Sequence, residues 1–207
     1  FWDYELVGDA MPANIVQLES LLRVSPENTR IVLQLQRTYV GYAFGWVEDG
    51  AEALEEAEDF RAADEQRRRA KYMFLRARDL GYYAISLDHD GFEAASRGNL
   101  AAFRAYLEEE FTEPGDARVL FWTGSAWASF IGQASREDMT AAGDLPFARA
   151  LVERSIALDP EFQFGSGRAL VAAIEASAGD GDIARSRTLF DEALAATERK
   201  NLMILVQ

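Results

Sequence analysis

Cysteine is absent from all 207 residues, so neither a disulfide framework nor a thiolate zinc site can form. That absence is compatible with any compartment. Histidine occurs once, as His89 between Asp88 and Asp90. Consecutive residues on a turn do not converge on one point and no second histidine exists, so His89 reads as structural or solvent-exposed. Lysine occurs only as Lys71 and Lys200, and 35 acids against 21 bases leave a net charge of −14. Phosphate backbones are repelled by most of such a surface, which sets nucleic acid aside as a partner. No run of eighteen apolar residues is present, and the start, Phe1-Trp2-Asp3-Tyr4-Glu5, lacks the basic and apolar regions of a secretory signal. The expectation is a cytoplasmic protein or one whose leader has been removed.

The short patterns that carry chemistry are missing too. There is no Gly-x-Ser-x-Gly, phosphate loop, His-Glu-x-x-His or EF-hand sequence. Gly165-Ser166-Gly167 and Gly179-Asp180-Gly181 are glycine turns without the preceding strand that nucleotide fingerprints need. No catalytic residue, metal ligand or cofactor is assigned, and the expectation is a protein that is not an enzyme.

What the chain does have is helical periodicity, and no stretch alternates at period two. Pro12 is expected to open a first helix with Ile15, Leu18, Leu21 and Leu22 on its apolar face. Ser25-Pro26 reads as a cap and first-turn proline for a second helix carrying Val32, Leu35, Tyr39, Tyr42, Ala43 and Trp46. Gly41 and Gly45 lie one turn apart on it, which suggests a close helix contact. Acids cluster from Glu48 to Glu65 and are followed by Arg67, Arg68 and Arg69. This reads as a solvated helical face with Asp64–Arg68 and Glu65–Arg69 pairs, or as an acidic docking patch.

A longer helix then runs to about Leu87, and Asp88-His89-Asp90-Gly91 breaks it. Further helices are expected at about 99–111, 145–158, 167–178 and 183–199. Glu113-Pro114-Gly115-Asp116 is the clearest turn, with Asp116 placed to cap the helix beyond it. That helix carries Val119, Leu120, Phe121, Trp122, Trp127, Phe130 and Ile131 around almost its full circumference. A helix apolar on all sides is buried by several neighbours or lines an apolar cavity. The apolar end, Leu202 to Val206, reads as the opening of another helix and suggests a chain that continues beyond Gln207.

Two segments echo each other. Gly41-Tyr42-Ala43-Phe44 and Gly124-Ser125-Ala126-Trp127 both read Gly-x-Ala-aromatic, and each is followed by a helix with small, large and small residues at intervals of four and three. These are Ala70, Phe74, Ala77 and Ala148, Val152, Ser155; Ser186, Phe190, Ala193 repeats the second half. The offsets match tetratricopeptide-type packing, in which a small residue lets antiparallel helices approach and a large one fills the groove. The first helices lie too far from the second for a regular solenoid. The fold class is therefore all-α, with tetratricopeptide-like antiparallel helix pairs and inserted helices and loops, in one domain over 1–207 trimmed at both ends.

Only the aromatic residues are candidates for a site. Tyr42, Phe44, Trp46, Trp122, Trp127 and Phe130 lie on the first helices of two pairs, which face the concave surface in repeat scaffolds. They are either plain core or the lining of an apolar ligand channel.

Several motifs together suggest a family. The Leu-Glu-Ser-Leu-Leu helix after Pro12, Tyr-Ala-Phe-Gly-Trp-Val-Glu-Asp (42–49), Phe-Leu-Arg-Ala-Arg-Asp-Leu-Gly (74–81), Leu-Phe-Trp-Thr-Gly-Ser-Ala-Trp (120–127) and the 144–159 segment resemble, in order, the T component of TRAP transporters, the TatT family. The resemblance implies a periplasmic lipoprotein, membrane-bound only through a lipid anchor that this chain does not contain. It implies a homotrimer that docks the transporter's extracytoplasmic solute-binding protein. It also implies an apolar cleft or pore for a small hydrophobic or organic-acid ligand. The alternative reading is a tetratricopeptide-like adaptor gripping a peptide or protein tail. Such a groove uses Asn and Arg clamps, and Asn14, Asn28, Asn99 and Asn201 are not repeat-spaced.

Overall fold

The computed structural model describes residues 3–177 and 183–196. Among them are ten α-helices joined by one π-helical segment and three 3-10 turns, with no strand, so the fold is all-α. The chain divides into two compact units, Phe1–Asp90 with Ser129–Ala142, and Gly91–Ala128 with Gly143–Gln207. The apolar end at Leu202–Val206 and the glycine turn at 178–182 lie outside the described residues.

The first unit begins with α1 (Tyr4–Val24), which starts at Asp3 and not at Pro12. The Asp3 carboxylate accepts the Leu6 N–H at 2.9 Å, and the helix then runs through Pro12. An interior proline costs about 3 kcal/mol in isolation. Here the two turns before it are held by contacts of Tyr4 and Gly8 with Trp46, described below, that no local rule foresees. Ser25 ends α1 rather than opening the next helix, its N–H bonding the Leu21 carbonyl. Asn28 caps α2 (Thr29–Tyr42), its Oδ1 accepting from the N–H groups of Arg30 and Ile31. A side-chain acceptor at that position satisfies two orphan donors, and Pro26 is left in the turn.

The helix path continues from α2 through the π segment Ala43–Glu48 into α3 (Asp49–Glu56). Next comes α4 (Phe60–Ser86), capped by Asp59, whose carboxylate accepts the Ala62 N–H at 3.1 Å. Ala70, Phe74 and Ala77 are wholly buried, as their spacing required, and α4 packs on α2. The buried Gln36 of α2 donates to the Ala77 carbonyl at 3.2 Å. Glu19 of α1 accepts two hydrogen bonds from Arg76 and one from Tyr39, each 2.9 Å, which ties three helices together. The Arg76 guanidinium holds the Glu19 carboxyl below the usual carboxylate range.

The acidic segment forms different pairs from those the spacing suggested. Glu65 pairs with Arg61 at 3.5 Å, Glu55 reaches Arg67 of α4, and Arg69 lies against Tyr42. Glu65 thus keeps a partner one turn away, Arg61 in place of Arg69, while Arg69 turns to the tertiary partner Tyr42; pairs one turn apart are worth only about 0.2–0.5 kcal/mol and are easily exchanged.

The second unit opens at Gly91, whose φ of 80° is the left-handed conformation a glycine adopts without strain. A short helix that the periodicity did not reveal, α5 (Phe92–Ser96), precedes α6 (Leu100–Glu110). Its five residues are too few for a periodic signal. Asp116 accepts the Glu113 N–H at 3.1 Å and closes the 3-10 turn Pro114–Asp116, which leads directly into α7 (Ala117–Ala134).

Beyond α7 lie α8 (Leu145–Leu158), α9 (Ser166–Ser177) and α10 (Ile183–Ala196). Ala148, Val152 and Ser155 are buried together, as are Ser186 and Ala193. The serines also bond across helices, Ser155 to the Ala117 carbonyl and Ser186 to the Ala172 carbonyl, at 2.7 and 2.8 Å. At these small positions a hydroxyl both permits close approach and satisfies a carbonyl that approach would otherwise desolvate.

Candidate functional site

The first unit builds a three-ring stack where α1 crosses the π segment. Trp46 lies between Tyr4, with ring centres 5.0 Å apart, and Tyr42, 6.2 Å away. Its indole N–H donates to the Tyr4 carbonyl at 3.1 Å. The Tyr4 hydroxyl lies against the Gly45 carbonyl and 2.9 Å from the Asp49 carboxylate. Gly8 receives the indole directly, since a Cβ there would sit 2.5 Å from the Trp46 ring. Tyr42 is buried, with the Arg69 guanidinium 5.4 Å from its ring and donating to its hydroxyl at 3.2 Å.

The neighbouring glycines do something other than expected. A Cβ on Gly41 or Gly45 would meet nothing within 4 Å, so they mark no close helix contact. They flank and enter the π turn, a wide turn of the kind often found at functional sites. Phe44, also on the π segment, is 45 % exposed. Phe130 is half-buried, with Arg78 5.3 Å from its ring.

In the second unit the echo of that motif is used differently. A Cβ on Gly124 would lie 2.6 Å from Val152 and 2.9 Å from the Ala148 carbonyl, so here the glycine does permit α7 and α8 to touch. Trp127 is 3 % exposed and packs on Phe147, which continues to Phe103, Phe92 and Phe111 as one aromatic run. Trp122 is half-buried beside Phe121, and Phe121 meets Phe162. Phe147 and Phe162 complete these clusters. Their sequence surroundings mark them only as members of helices or turns.

The six aromatic candidates thus fall into distinct settings. Tyr42 and Trp46 share the stack with Tyr4; Trp127 packs on Phe147 and Trp122 on Phe121; Phe44 is exposed and Phe130 lies beside Arg78. Among the described residues, two concavities are lined largely by polar side chains. One, of about 410 Å³, lies between α4 and the end of α7; the other, of about 120 Å³, lies between α6 and α8. Neither is lined by any of the six. Among the described residues no group of three His, Asp or Glu side chains is placed to hold a metal ion.

One titratable group stands out. Glu48 ends the π segment, and burial pushes its carboxyl up to about 7; the Gln133 amide, which donates to it, and Arg67 pull the other way, while Glu52 adds repulsion. The folded chain therefore keeps a proton there that the unfolded chain loses above its ordinary value of 4.5. Stability from this group is full below that value and falls as pH rises towards 7. Glu48→Gln, which mimics the protonated acid, is expected to change stability little at pH 5 and to raise it by about 2–3 kcal/mol at pH 8. Urea unfolding at the two pH values checks this, and equal effects at both would refute it.

Comparison with known proteins places these features in a family. The chain is 26 % identical over 171 residues to an uncharacterized protein of Treponema pallidum, an alignment covering 79 % of this chain and 50 % of the relative. The chain thus spans about half the length of that relative. The family model described as TRAP transporter T-component matches residues 2–207. With that match across both helical units, this chain belongs to the TRAP transporter T-component family, a transporter-associated group.

Proposed function

We propose that this chain is a non-enzymatic, extracytoplasmic scaffold that docks the solute-binding protein of its transporter. On this reading it assembles as a homotrimer of tetratricopeptide-like helix pairs and is held at the periplasmic membrane surface by a lipid anchor. The observation that carries the reading is the family match over the whole chain. A helical surface suited to protein contact supports it. Leu6, Val16, Leu21 and Val24 of α1 are between 46 and 82 % exposed. At helical spacing they fall on a little under half of the circumference, where a lone soluble helix would carry polar residues. Among the described residues no helix is long and apolar enough to cross a membrane.

In this proposal the aromatic side chains that retain exposed surface, Phe44, Trp46 and Phe130 in the first unit and Trp122 in the second, are ligand-contact candidates each within its own unit, while Tyr42 and Trp127 brace the helices behind them. The test is sedimentation and native mass of the full-length protein with the separately purified solute-binding protein of the same transporter. A complex on a trimer is expected, weakened by Val16→Glu and Val24→Glu, which change exposed positions only. A monomer that ignores this partner but retains a peptide or protein tail would move the assignment to the adaptor.

A further inference from the structure

Glu48 and Gln133 meet inside the first unit as an acid and an amide. Glu48 closes the π segment Ala43–Glu48, and Gln133 stands in the last turn of α7; both side chains are half-buried. The Gln133 Nε2 amide donates to Oε1 of Glu48. The other half of that amide is unmatched, because Gln133 Oε1 is buried and receives no hydrogen bond. An ionised carboxylate only accepts, so it can serve Nε2 but never Oε1, whereas a protonated carboxyl also carries an O–H donor. A planar acid set against a planar amide makes two parallel bonds, amide N–H to the acid's carbonyl oxygen and acid O–H to the amide oxygen. A proton on Glu48 thus supplies the donor that Gln133 Oε1 lacks, and a buried acceptor left without one is costly.

The charges around the pair are engaged elsewhere. Glu52 of α3 disfavours a second negative charge; Arg67 of α4 favours one, but its guanidinium grips Glu55. Gln133 also lines the 410 Å³ concavity, a cationic recess to which Arg67, Arg68, Lys71 and Arg136 contribute beside Asp64 and Glu137. Lys71 pairs with Glu137 at 2.5 Å, the exposed Arg68 acts on the same Glu137, and Arg136 lies 3.7 Å from Glu55. From α2, Tyr42 accepts from Arg69; from α1, the Tyr4 hydroxyl is turned to the Gly45 carbonyl and the Asp49 carboxylate. Burial therefore outweighs the cations and pushes the Glu48 carboxyl up to about 7.

We propose that Glu48 and Gln133 form a proton-controlled clasp, in which two hydrogen bonds hold the π segment to the end of α7 and loss of the Glu48 proton releases one of them. A π turn is an element that such a clasp can govern, since π ladders are rare and short. This one is tied from outside, by Tyr4 at the Gly45 carbonyl, by the Trp46 indole at the Tyr4 carbonyl and by Gln133 at Glu48. Loosening the last tie frees the end of the segment that also carries the exposed Phe44. The closed clasp binds the proton more tightly than the open one, so it is strongest below the ordinary value of 4.5 and weakens as pH rises to about 7. The clasp does not rest on the docking partner.

Backbone hydrogen exchange of the full-length protein at pH 5.5 and 8.5, scaled to the intrinsic exchange rate at each pH, tests it. Protection over residues 43–48 and 129–135 is expected to fall at least about tenfold at the higher pH, as the difference in proton affinity between closed and open clasp requires. Glu48→Gln, whose amide can make the same two bonds without a titrating proton, is expected to stay protected at both pH values. Gln133→Met, close to the original volume but without either bond, is expected to be weakly protected at both. Circular dichroism identifies any variant that fails to fold, and the gain of protection by Glu48→Gln at pH 8.5 has no counterpart in misfolding. Wild-type protection that ignores pH, or a pH-dependent loss that survives in Glu48→Gln or in folded Gln133→Met, would overturn the clasp.

Discussion

Replacing Trp127 with Ala is expected to destabilise the protein by about 3–5 kcal/mol, the usual cost of removing a large aromatic side chain from a packed interior. Trp127 is 3 % exposed, and its ring abuts Phe147, which in turn contacts Phe103. A truncated side chain would leave a hole beside α7 that the neighbouring aromatic rings can close only by leaving their own contacts. Urea unfolding followed by tryptophan fluorescence and by far-ultraviolet dichroism measures the loss. The same experiment separates two roles for this residue. A channel wall would lose ligand uptake with little change in stability, and a change below about 1 kcal/mol would remove Trp127 from the core.

The second large effect is a contrast between two glycines in the same sequence motif. Gly124→Ala is expected to cost about 1–3 kcal/mol, because its methyl group would press on Val152 and the Ala148 backbone carbonyl at 2.6 and 2.9 Å. A backbone atom cannot step aside as a side-chain tip can, so the α7–α8 contact must open. Gly41→Ala meets nothing within 4 Å and is expected to stabilise α2 by up to about 1 kcal/mol through helix propensity. Thermal unfolding of the two variants side by side should show shifts of opposite sign. Equal destabilisation of both would mean that the Gly-x-Ala-aromatic motif packs in the same way twice.

That contrast shows where local reading stops. Spacing correctly marked Ala70, Phe74, Ala77, Ala148, Val152 and Ser155 as one buried face per helix, because a side chain's angular position follows from 3.6 residues per turn. It also marked α7 as apolar all round, either buried by its neighbours or lining a cavity; residues from Leu120 to Ala128 are buried apart from Trp122, which like Val119 and Phe130 is half-buried. Caps were less legible. Ser25 and Asn28 are both good capping residues within four positions, and the fold selected Asn28. Pro12 looked like a helix start, because a local rule has no term for the docking of Tyr4 and Gly8 against Trp46.

The candidate site was legible in part. Aromatic richness on the first helices pointed to Tyr42, Phe44, Trp46, Trp122, Trp127 and Phe130, but composition carries no information on which ring faces which neighbour. The stack of Tyr4, Trp46 and Tyr42 needs contacts across 42 positions of sequence. Glu48 is one acid among nine in its stretch, and only burial beside Gln133 sets its proton affinity apart. The cationic recess was invisible because Arg67 and Arg68 read as part of a solvated face, and nothing local linked them and Lys71 to Arg136, some 65 positions later.

By itself, the sequence determined the all-α class, most helix spans, the small and large positions of the packed pairs and, through its ordered motifs, the family. These properties depend on local periodicity and residue identity. Only the tertiary structure decided the wide turn at Ala43–Glu48, the different duties of Gly41 and Gly124, the raised proton affinity of Glu48 and the gathering of cations in an acidic chain. Each of these arises when residues far apart in sequence exclude water from one another, and local spacing does not specify that pairing.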